Sequence, residues 1–291
     1  MRALEETPVL PVEIQRLAQS AERLETPCGA GSLVWHAWGE GDGRHPPVVL
    51  LHGGSGSWTH WLRNIEPLAT AGRRVLAADL PGFGDSAPPA AGRDADALVE
   101  PLQAGLQQLL GDAACDLVGF SFGGMVAGLW AERFSARARR LVIVGAPGLG
   151  VVPRGTVPLS GWRHLQDPTA RDAVHRQNLA ALMLHQPASI TELALRLHAA
   201  NVVRDRMPGR RLAHTDVLAR ALDQVACPVH AIYGREDALY RERLDALAQV
   251  LRSKPCVREL TLIDGAGHWV QFEAAAAFNA LLLRLLAAPG G

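Results

Sequence analysis

Asp116-Leu117-Val118-Gly119-Phe120-Ser121-Phe122-Gly123-Gly124, residues 116–124, carries a short apolar run straight into a serine set among glycines. The run up to Phe120 reads as a buried strand, and residues 122–134 read as a helix. The serine between them matches G-x-S-x-G in the context that pattern requires, a sharp turn from strand to helix. A side chain on such a turn has a strained backbone, and neighbours without a Cβ keep the crowded turn open. The helix that follows aims its N-terminal N–H groups and positive dipole end at any negative charge developing there. A glycine-rich turn holding an ordinary serine fits the same pattern, so the surroundings have to decide.

Outward from this turn, brief apolar runs alternate with longer helix-like stretches. Residues 47–51, 74–78, 116–120, 141–145, 229–233 and 259–263 read as buried strands, and 32–38 reads as an antiparallel edge strand. Helices are expected near 61–70, 94–110, 122–134, 241–251 and 270–286, the second with a late start or a kink at Pro101. This alternation predicts an α/β fold with a mostly parallel sheet covered by helices. It fails over residues 150–214, which hold Pro153, Pro158, Pro168, Pro187 and Pro208 and helix-like pieces at 170–184 and 189–203. The expectation is one core domain, 1–149 and 215–291, interrupted by a helical lid at 150–214.

Composition narrows the function classes. The chain has 291 residues, 48% hydrophobic and 20% charged, which is an ordinary globular balance and enough length for a full core. Lys plus Arg and Asp plus Glu are 29 each, so no net charge favours nucleic acid or an anionic membrane as partner. Cys28, Cys115, Cys227 and Cys256 lie far apart with no metal-ligand spacing, and read as free thiols in a reducing compartment. Glu5, Glu6 and Glu13 interrupt the N-terminal stretch where a signal peptide needs apolar residues. Residues 274–288 are too short and too interrupted to span a bilayer. These features read as a cytoplasmic protein without a cofactor or a metal, acting on a small molecule, with homo-oligomerisation left open.

Two further positions fall at the carboxyl edge of the predicted sheet, where catalytic groups of open α/β sheets collect. His268 follows the last strand, in Gly267-His268-Trp269, and Asp237 follows the strand before it, in Tyr233-Gly234-Arg235-Glu236-Asp237. The order Ser121, Asp237, His268 is nucleophile, acid, base. Asp264 is the other acid to weigh, but it sits in the strand end and would have to turn back sharply, so Asp237 is preferred. After the strand at 47–51, His52-Gly53-Gly54 can set the Gly54 N–H beside that of Phe122, two donors for one oxyanion. His52 reads as structural within that loop, and His60, His185 and His214 are other histidines that could be proposed as the base. Arg204, Arg206, Arg210 and Arg211 read as solvated surface. Phe120, Phe122, Trp162, Met183 and Trp269 are candidates for an apolar pocket wall.

On these residues the chain resembles the α/β-hydrolase family from about residue 32 to 286, which implies an eight-stranded-type sheet with a helical lid. Within it, the chain is similar to the meta-cleavage-product hydrolases, which cleave a carbon–carbon bond. That likeness rests on Leu51-His52-Gly53-Gly54, on Arg63-Asn64-Ile65-Glu66-Pro67-Leu68, on residues 79–86 (DLPGFGDS) and on Gly267-His268-Trp269-Val270-Gln271-Phe272-Glu273. It implies substrate contacts at Asn64, Phe120, His198 and Trp269. Two positions depart from the family pattern. Phe120 stands where those enzymes usually have Asn before the nucleophile, and His198, with Arg196 nearby, stands where they carry a lid Arg.

The resulting expectation is a serine hydrolase. His268 takes the proton of Ser121 as it attacks a carbonyl, Asp237 holds the imidazole, and the N–H groups of Gly54 and Phe122 stabilise the oxyanion. An ester leaves as an alkoxide needing only general-acid help, whereas a carbon–carbon bond breaks only after tautomerisation by polar groups that grip a dienol acid. The departures at Phe120 and His198 favour esters of small hydrophobic or aromatic compounds, with carbon–carbon cleavage second. A non-catalytic binder on the same scaffold is the remote alternative, since all three triad members are kept.

Overall fold

Val48–Leu51 is apolar on both faces and fully buried, which suits a strand in the middle of a sheet covered on both sides. It is the third of eight strands in the computed structural model, which describes residues 11–287. Residues 1–10, on which part of the reading against a signal peptide rests, and residues 288–291 lie outside the described residues.

The strands are β1 (Glu22–Cys28), β2 (Gly31–Trp38), β3 (Val48–Leu51), β4 (Val75–Asp79), β5 (Cys115–Phe120), β6 (Ala138–Val144), β7 (Val229–Gly234) and β8 (Val257–Ile263). They form one sheet in the order β1-β2-β4-β3-β5-β6-β7-β8, antiparallel at β1/β2 and β2/β4 and parallel elsewhere. This is the eight-stranded, mostly parallel sheet of the α/β reading. One expectation is corrected: β2 is not the edge strand. The edge on that side is β1, whose sequence ERLETPC is largely exposed and offers no apolar run to read.

The helices are α1 (Val12–Gln19), α2 (Ile65–Thr70), α3 (Val99–Leu110), α4 (Phe122–Arg133), α5 (Pro168–Asn178), α6 (Glu192–Val202), α7 (Val217–Ala221), α8 (Leu244–Arg252), α9 (Val270–Glu273) and α10 (Ala275–Ala287). Pro101 causes no break, because α3 starts late and places it in the first turn, where a missing N–H costs nothing. Strand side chains alternate between two cores. Val49, Leu51, Leu117, Leu141 and Ile143 pack with α3, α4, α7 and α8, while Val48, Leu50, Val118, Val142 and Val144 pack with α1, α2 and α10. Each such buried side chain is worth about 1.5–3 kcal/mol relative to exposure.

Between β6 and β7 the described chain contains helices and no strand. Asp167 caps α5 through the N–H groups of Thr169 and Ala170, with Pro168 at its first position, and Thr191 caps α6. The outgoing and returning chains run side by side where Gly148 N–H bonds Ala213 O (3.1 Å) and Gly150 N–H bonds Thr215 O (2.9 Å). Among the described residues no helix is long and apolar enough to cross a membrane.

Candidate active site

The sheet changes direction at β3. Its neighbours β4 and β5 lie on opposite sides, and the crevice beyond the carboxyl ends of β3 and β5 is the place where such sheets hold ligands. Leu51 is in register with Gly119, so the loop leaving β3 and the turn leaving β5 emerge side by side.

Ser121 sits on that turn at φ 50°, ψ −117°, a left-handed conformation that L residues rarely hold. Its N–H bonds Val144 O on β6 (2.7 Å), and its carbonyl accepts from Gly124 and Met125 as α4 begins. The flanking glycines are required by contact. A Cβ on Gly119 would stand 2.4 Å from Gly123 O, and one on Gly123 would stand 2.4 Å from the carbonyl oxygens of Leu51 and His52.

His268 reaches Ser121 from the loop after β8. Its Nε2 lies 2.9 Å from Ser121 Oγ, and its Nδ1 lies 2.7 Å from Asp237 Oδ2. Asp237 has no exposed surface and its Oδ1 accepts the Leu239 N–H at 2.9 Å. Asp264, the other candidate acid, points outward instead, 81% exposed and paired with Arg235.

On the β3 side, Gly53 N–H donates to His60 Nδ1 (3.2 Å), and His52 donates from Nδ1 to Gly53 O (2.7 Å) while its Nε2 accepts from Leu80 N–H (2.8 Å). His52 is thus a brace within the loop. Burial lowers its pKa to about 4, and the ring is neutral. Burial likewise pushes His60 well below its ordinary value, helped by the neighbouring imidazoles of His52, His198 and His268. With its Nδ1 accepting, His60 carries its proton on Nε2. Gly54 is next to this brace, its missing Cβ only 3.8 Å from Phe122 Cβ. Among the described residues neither the Gly54 nor the Phe122 N–H has a protein acceptor.

A cavity of about 770 Å³ opens beside Gly54, lined among others by His60, Trp162, Met183, His198, Met207 and Arg210. That is ample for a small organic ligand. Desolvation lowers His198 to about 4, so it meets the cavity as a neutral ring. Arg196 does not face a substrate carboxylate, being taken up by Asp172 and Glu192.

Three residues expected to contact substrate, Asn64, Phe120 and Trp269, are buried and, like Ser121 and His268, do not line this cavity. Asn64 is fully buried outside the cavity lining, donating to Gln271 O (3.0 Å) and Asn279 Oδ1 (2.7 Å). Its neighbour Arg63 lies over the Phe272 ring and donates to Phe272 O. The RNIEPL and GHWVQFE stretches therefore hold each other, which accounts for Asn64 without a ligand. Trp269 is 1% exposed, stacks on Phe272 and donates to His60 O. Phe120 is equally buried, its ring packed against those of His60 and His268. Phe120 thus packs against both histidines and Trp269 against His60.

Sequence reasoning missed the wider roles of His60, weighed only as a base, and of Arg210, read as solvated surface. Arg210 pairs with Asp205 over the rings of Phe83 and Phe122. Glu273 was also unassigned. It accepts from the N–H groups of Gly267, His185 and Gln186 and so joins the His268 loop to the helical segment. Among the described residues no group of three or more His, Cys, Asp or Glu is arranged to hold a metal ion.

Known proteins share this framework. A family model described as the alpha/beta hydrolase fold matches residues 46–275. A 2-hydroxy-6-oxo-6-phenylhexa-2,4-dienoate hydrolase from Burkholderia cepacia is 30% identical, over 84% of this chain and 89% of its own. A 2-hydroxy-6-oxononadienedioate/2-hydroxy-6-oxononatrienedioate hydrolase from a Pseudomonas species is 27% identical over 88% and 92%. Among solved structures, an esterase from a Rhodococcus species superposes with a TM-score of 0.72 at 22% identity, covering 92% of this chain and 99% of its own. A meta-cleavage product hydrolase from Pseudomonas fluorescens gives 0.71 at 24%, covering 90% and 96%. With the strand order, the turn at Ser121 and this match over most of its length, the chain belongs to the α/β-hydrolase fold family of hydrolases.

Proposed function

We propose that the protein is a serine hydrolase of carboxylic esters with small to medium hydrophobic or aromatic acyl groups. The observation that carries this reading is the unbroken chain Ser121 Oγ, His268, Asp237 at 2.9 and 2.7 Å, beside two N–H groups without an acceptor among the described residues. His268 takes the Ser121 proton as Oγ attacks the ester carbonyl, and Asp237 fixes the tautomer that leaves Nε2 free to receive it. The Gly54 and Phe122 N–H groups hold the oxyanion, a contribution of about 3–4 kcal/mol per donor in related sites. His268 then protonates the leaving alkoxide, and water releases the acyl group by the same path in reverse. Residues 150–214 act as the lid, a role supported by the paired chains at 148–150 and 213–215 and by the Trp162, Met183 and His198 side of the cavity.

Ester cleavage is preferred because the two arginines lining the cavity are already engaged, Arg210 with Asp205 and Arg163 with Val202 O, and the imidazoles of His60 and His198 there are neutral. Phe120, behind the nucleophile, offers no polar group to grip a dienol acid. Carbon–carbon hydrolysis of a meta-cleavage product is the second reading, favoured by the names of the sequence relatives. A p-nitrophenyl ester series assayed beside a coloured ring-cleavage dienoate separates the two. Ester turnover with slow dienoate bleaching supports the first reading, and rapid bleaching with negligible ester turnover overturns it. Labelling of Ser121 by a fluorophosphonate tests the nucleophile itself.

A further inference from the structure

The segment 204–210 is fastened to the core by side chains. Arg204 Nη1 binds Asp85 Oδ1 (2.9 Å), and Arg206 Nη2 binds the carbonyl oxygens of Gly84 (3.0 Å) and Ser86 (2.6 Å). Asp205 accepts from both terminal nitrogens of Arg210 (3.0 and 2.9 Å), from the Met207 N–H (2.9 Å) and from the Ser55 hydroxyl (2.5 Å). Arg210 lies 5.0 Å over Phe83 and 5.4 Å over Phe122, and its Nη2 is 3.5 Å from where a Cβ on Gly54 would stand.

Ser55 and Ser121 are the two non-glycine residues with positive φ among the described residues, at 51° and 50°. Such a conformation persists only where the surroundings fix it. At Ser121 the strand, turn and helix do so. At Ser55 the side-chain hydroxyl is held by the Asp205 carboxylate, 150 residues away along the chain.

We propose that the Asp205–Arg210 pair is a positioning clasp for the oxyanion hole. Asp205 holds Ser55, and through it the N–H of Gly54, while Arg210 covers the ring of Phe122, the residue that supplies the second N–H. The proposal rests on the roles given above to Ser121, Gly54 and Phe122. Burial raises the Asp205 carboxyl, and Arg210, Ser55 and the Met207 N–H more than offset this, so the net shift is downward and the pair is ionised. Its two charges cancel. The clasp therefore fixes geometry without adding net charge beside the oxyanion, and neither residue takes part in bond making.

The test compares kcat and KM on p-nitrophenyl butyrate with the affinity for an arylboronic acid, whose tetrahedral adduct on Ser121 places an oxygen between the two N–H groups. Rates are normalised to sites titrated by a fluorophosphonate, so that misfolded protein does not count. Ser55→Ala and Asp205→Asn should each lower kcat about 10- to 100-fold, the scale of a misplaced oxyanion donor. KM should stay within about twofold, boronate affinity should fall in parallel with kcat, and Arg210→Lys should retain more kcat than Arg210→Met. A Ser55→Ala protein whose kcat and boronate affinity match wild type, or one whose loss lies in KM alone, would overturn the clasp. If Asp205→Asn does not fold, Ser55→Ala decides, since it removes a single hydroxyl. Undiminished turnover by Ser121→Ala would instead overturn the underlying reading, whereas an inactive Ser121→Ala beside a fully active Ser55→Ala overturns the clasp alone.

Discussion

Two carboxylates with no exposed surface sit at opposite ends of the parallel strands, and they are satisfied in different ways. Asp116, at the start of β5, accepts from Arg73 Nη1 (3.1 Å) and from Arg139 Nε and Nη2 (2.7 and 2.6 Å), and both arginines also reach Leu286 O. Asp237, beyond the end of β7, accepts from one backbone N–H and one imidazole. A guanidinium has only donors and keeps its charge at every ordinary pH, so the network around Asp116 ends there. An imidazole has a second nitrogen, and that of His268 faces Ser121. Equal burial thus serves a static tie at one end and, under the proposed mechanism, a movable proton at the other, and the partner chosen for the carboxylate makes the difference.

The contrast is sharpest where the proton is used. Ser121→Ala should lower kcat for an ester by about a million-fold at unchanged stability, the scale seen when a triad nucleophile is removed. A residual rate near wild type would mean that the His268 proton path leads nowhere. Asp237→Asn keeps the shape but favours the wrong imidazole tautomer, and should cost about 10⁴-fold in kcat. Steady-state kinetics on titrated sites, with thermal melting as the control, measures both.

At the other end the same kind of change should cost stability. Asp116→Ala leaves Arg73, itself buried, without its anion, and should destabilise by about 3–5 kcal/mol in urea titrations. The kcat of the molecules that remain folded should change less than about twofold, because nothing at Asp116 touches the site. Acid separates the ends again. His52 is neutral in the folded protein down to about pH 4 but takes a proton near 6.5 once unfolded. Between those values the unfolded chain binds more protons, so stability is complete above pH 6.5 and falls with pH, by roughly 1 kcal/mol per unit from this histidine. The guanidinium groups around Asp116 do not titrate in that window. Urea midpoints from pH 7 to 4.5 measure the slope, and His52→Asn should reduce it without abolishing it, because burial lowers His60 and His198 as well.

The two ends were also unequally legible in the sequence. Ser121 could be read because its glycines are forced by contact with neighbouring backbone, Asp237 because it follows the apolar run of β7, and His268 because it follows β8, where Leu260 and Leu262 alternate with polar residues before Ile263. The strand β1 could not, since ERLETPC carries no apolar run. Asn64 shows a related limit, because its hydrogen bonds to Gln271 O and Asn279 Oδ1 explain it without a ligand. Its motif is kept together with Gly267–Glu273 by mutual packing, and a one-dimensional reading cannot tell a residue that holds a loop from one that holds a ligand. The Ser55–Asp205 contact left no signal, because it spans 150 positions and repeats with no period, and the Asp205–Arg210 pair, five residues apart, sits in an arginine group that reads as solvated surface. What was legible is what local backbone geometry dictates, and what was not depends on how the helical segment lands on the core.

The smallest expected effect tests the pairing of His268 most directly. Asp264 is nearer to His268 in sequence than Asp237 is, and it leaves a strand at the same sheet edge. The intervening loop decides between them. Residues 265–267 fold back over the end of β7, so close that a Cβ on Gly234 would stand 2.1 Å from Gly267 O, and this turns the imidazole toward Asp237 while Asp264 stays outside with Arg235. An exposed pair of this kind is worth about 0–1 kcal/mol and weakens in salt. Asp264→Asn should therefore leave kcat, KM and the pH profile within error of wild type and shift the urea midpoint barely at all. A fall in kcat approaching that of Asp237→Asn would show that the loop opens in solution and that the acid of the site is exchanged between the two positions. The buried pair would then be one state of the site, and the distinction from the static tie at Asp116 would have to be redrawn.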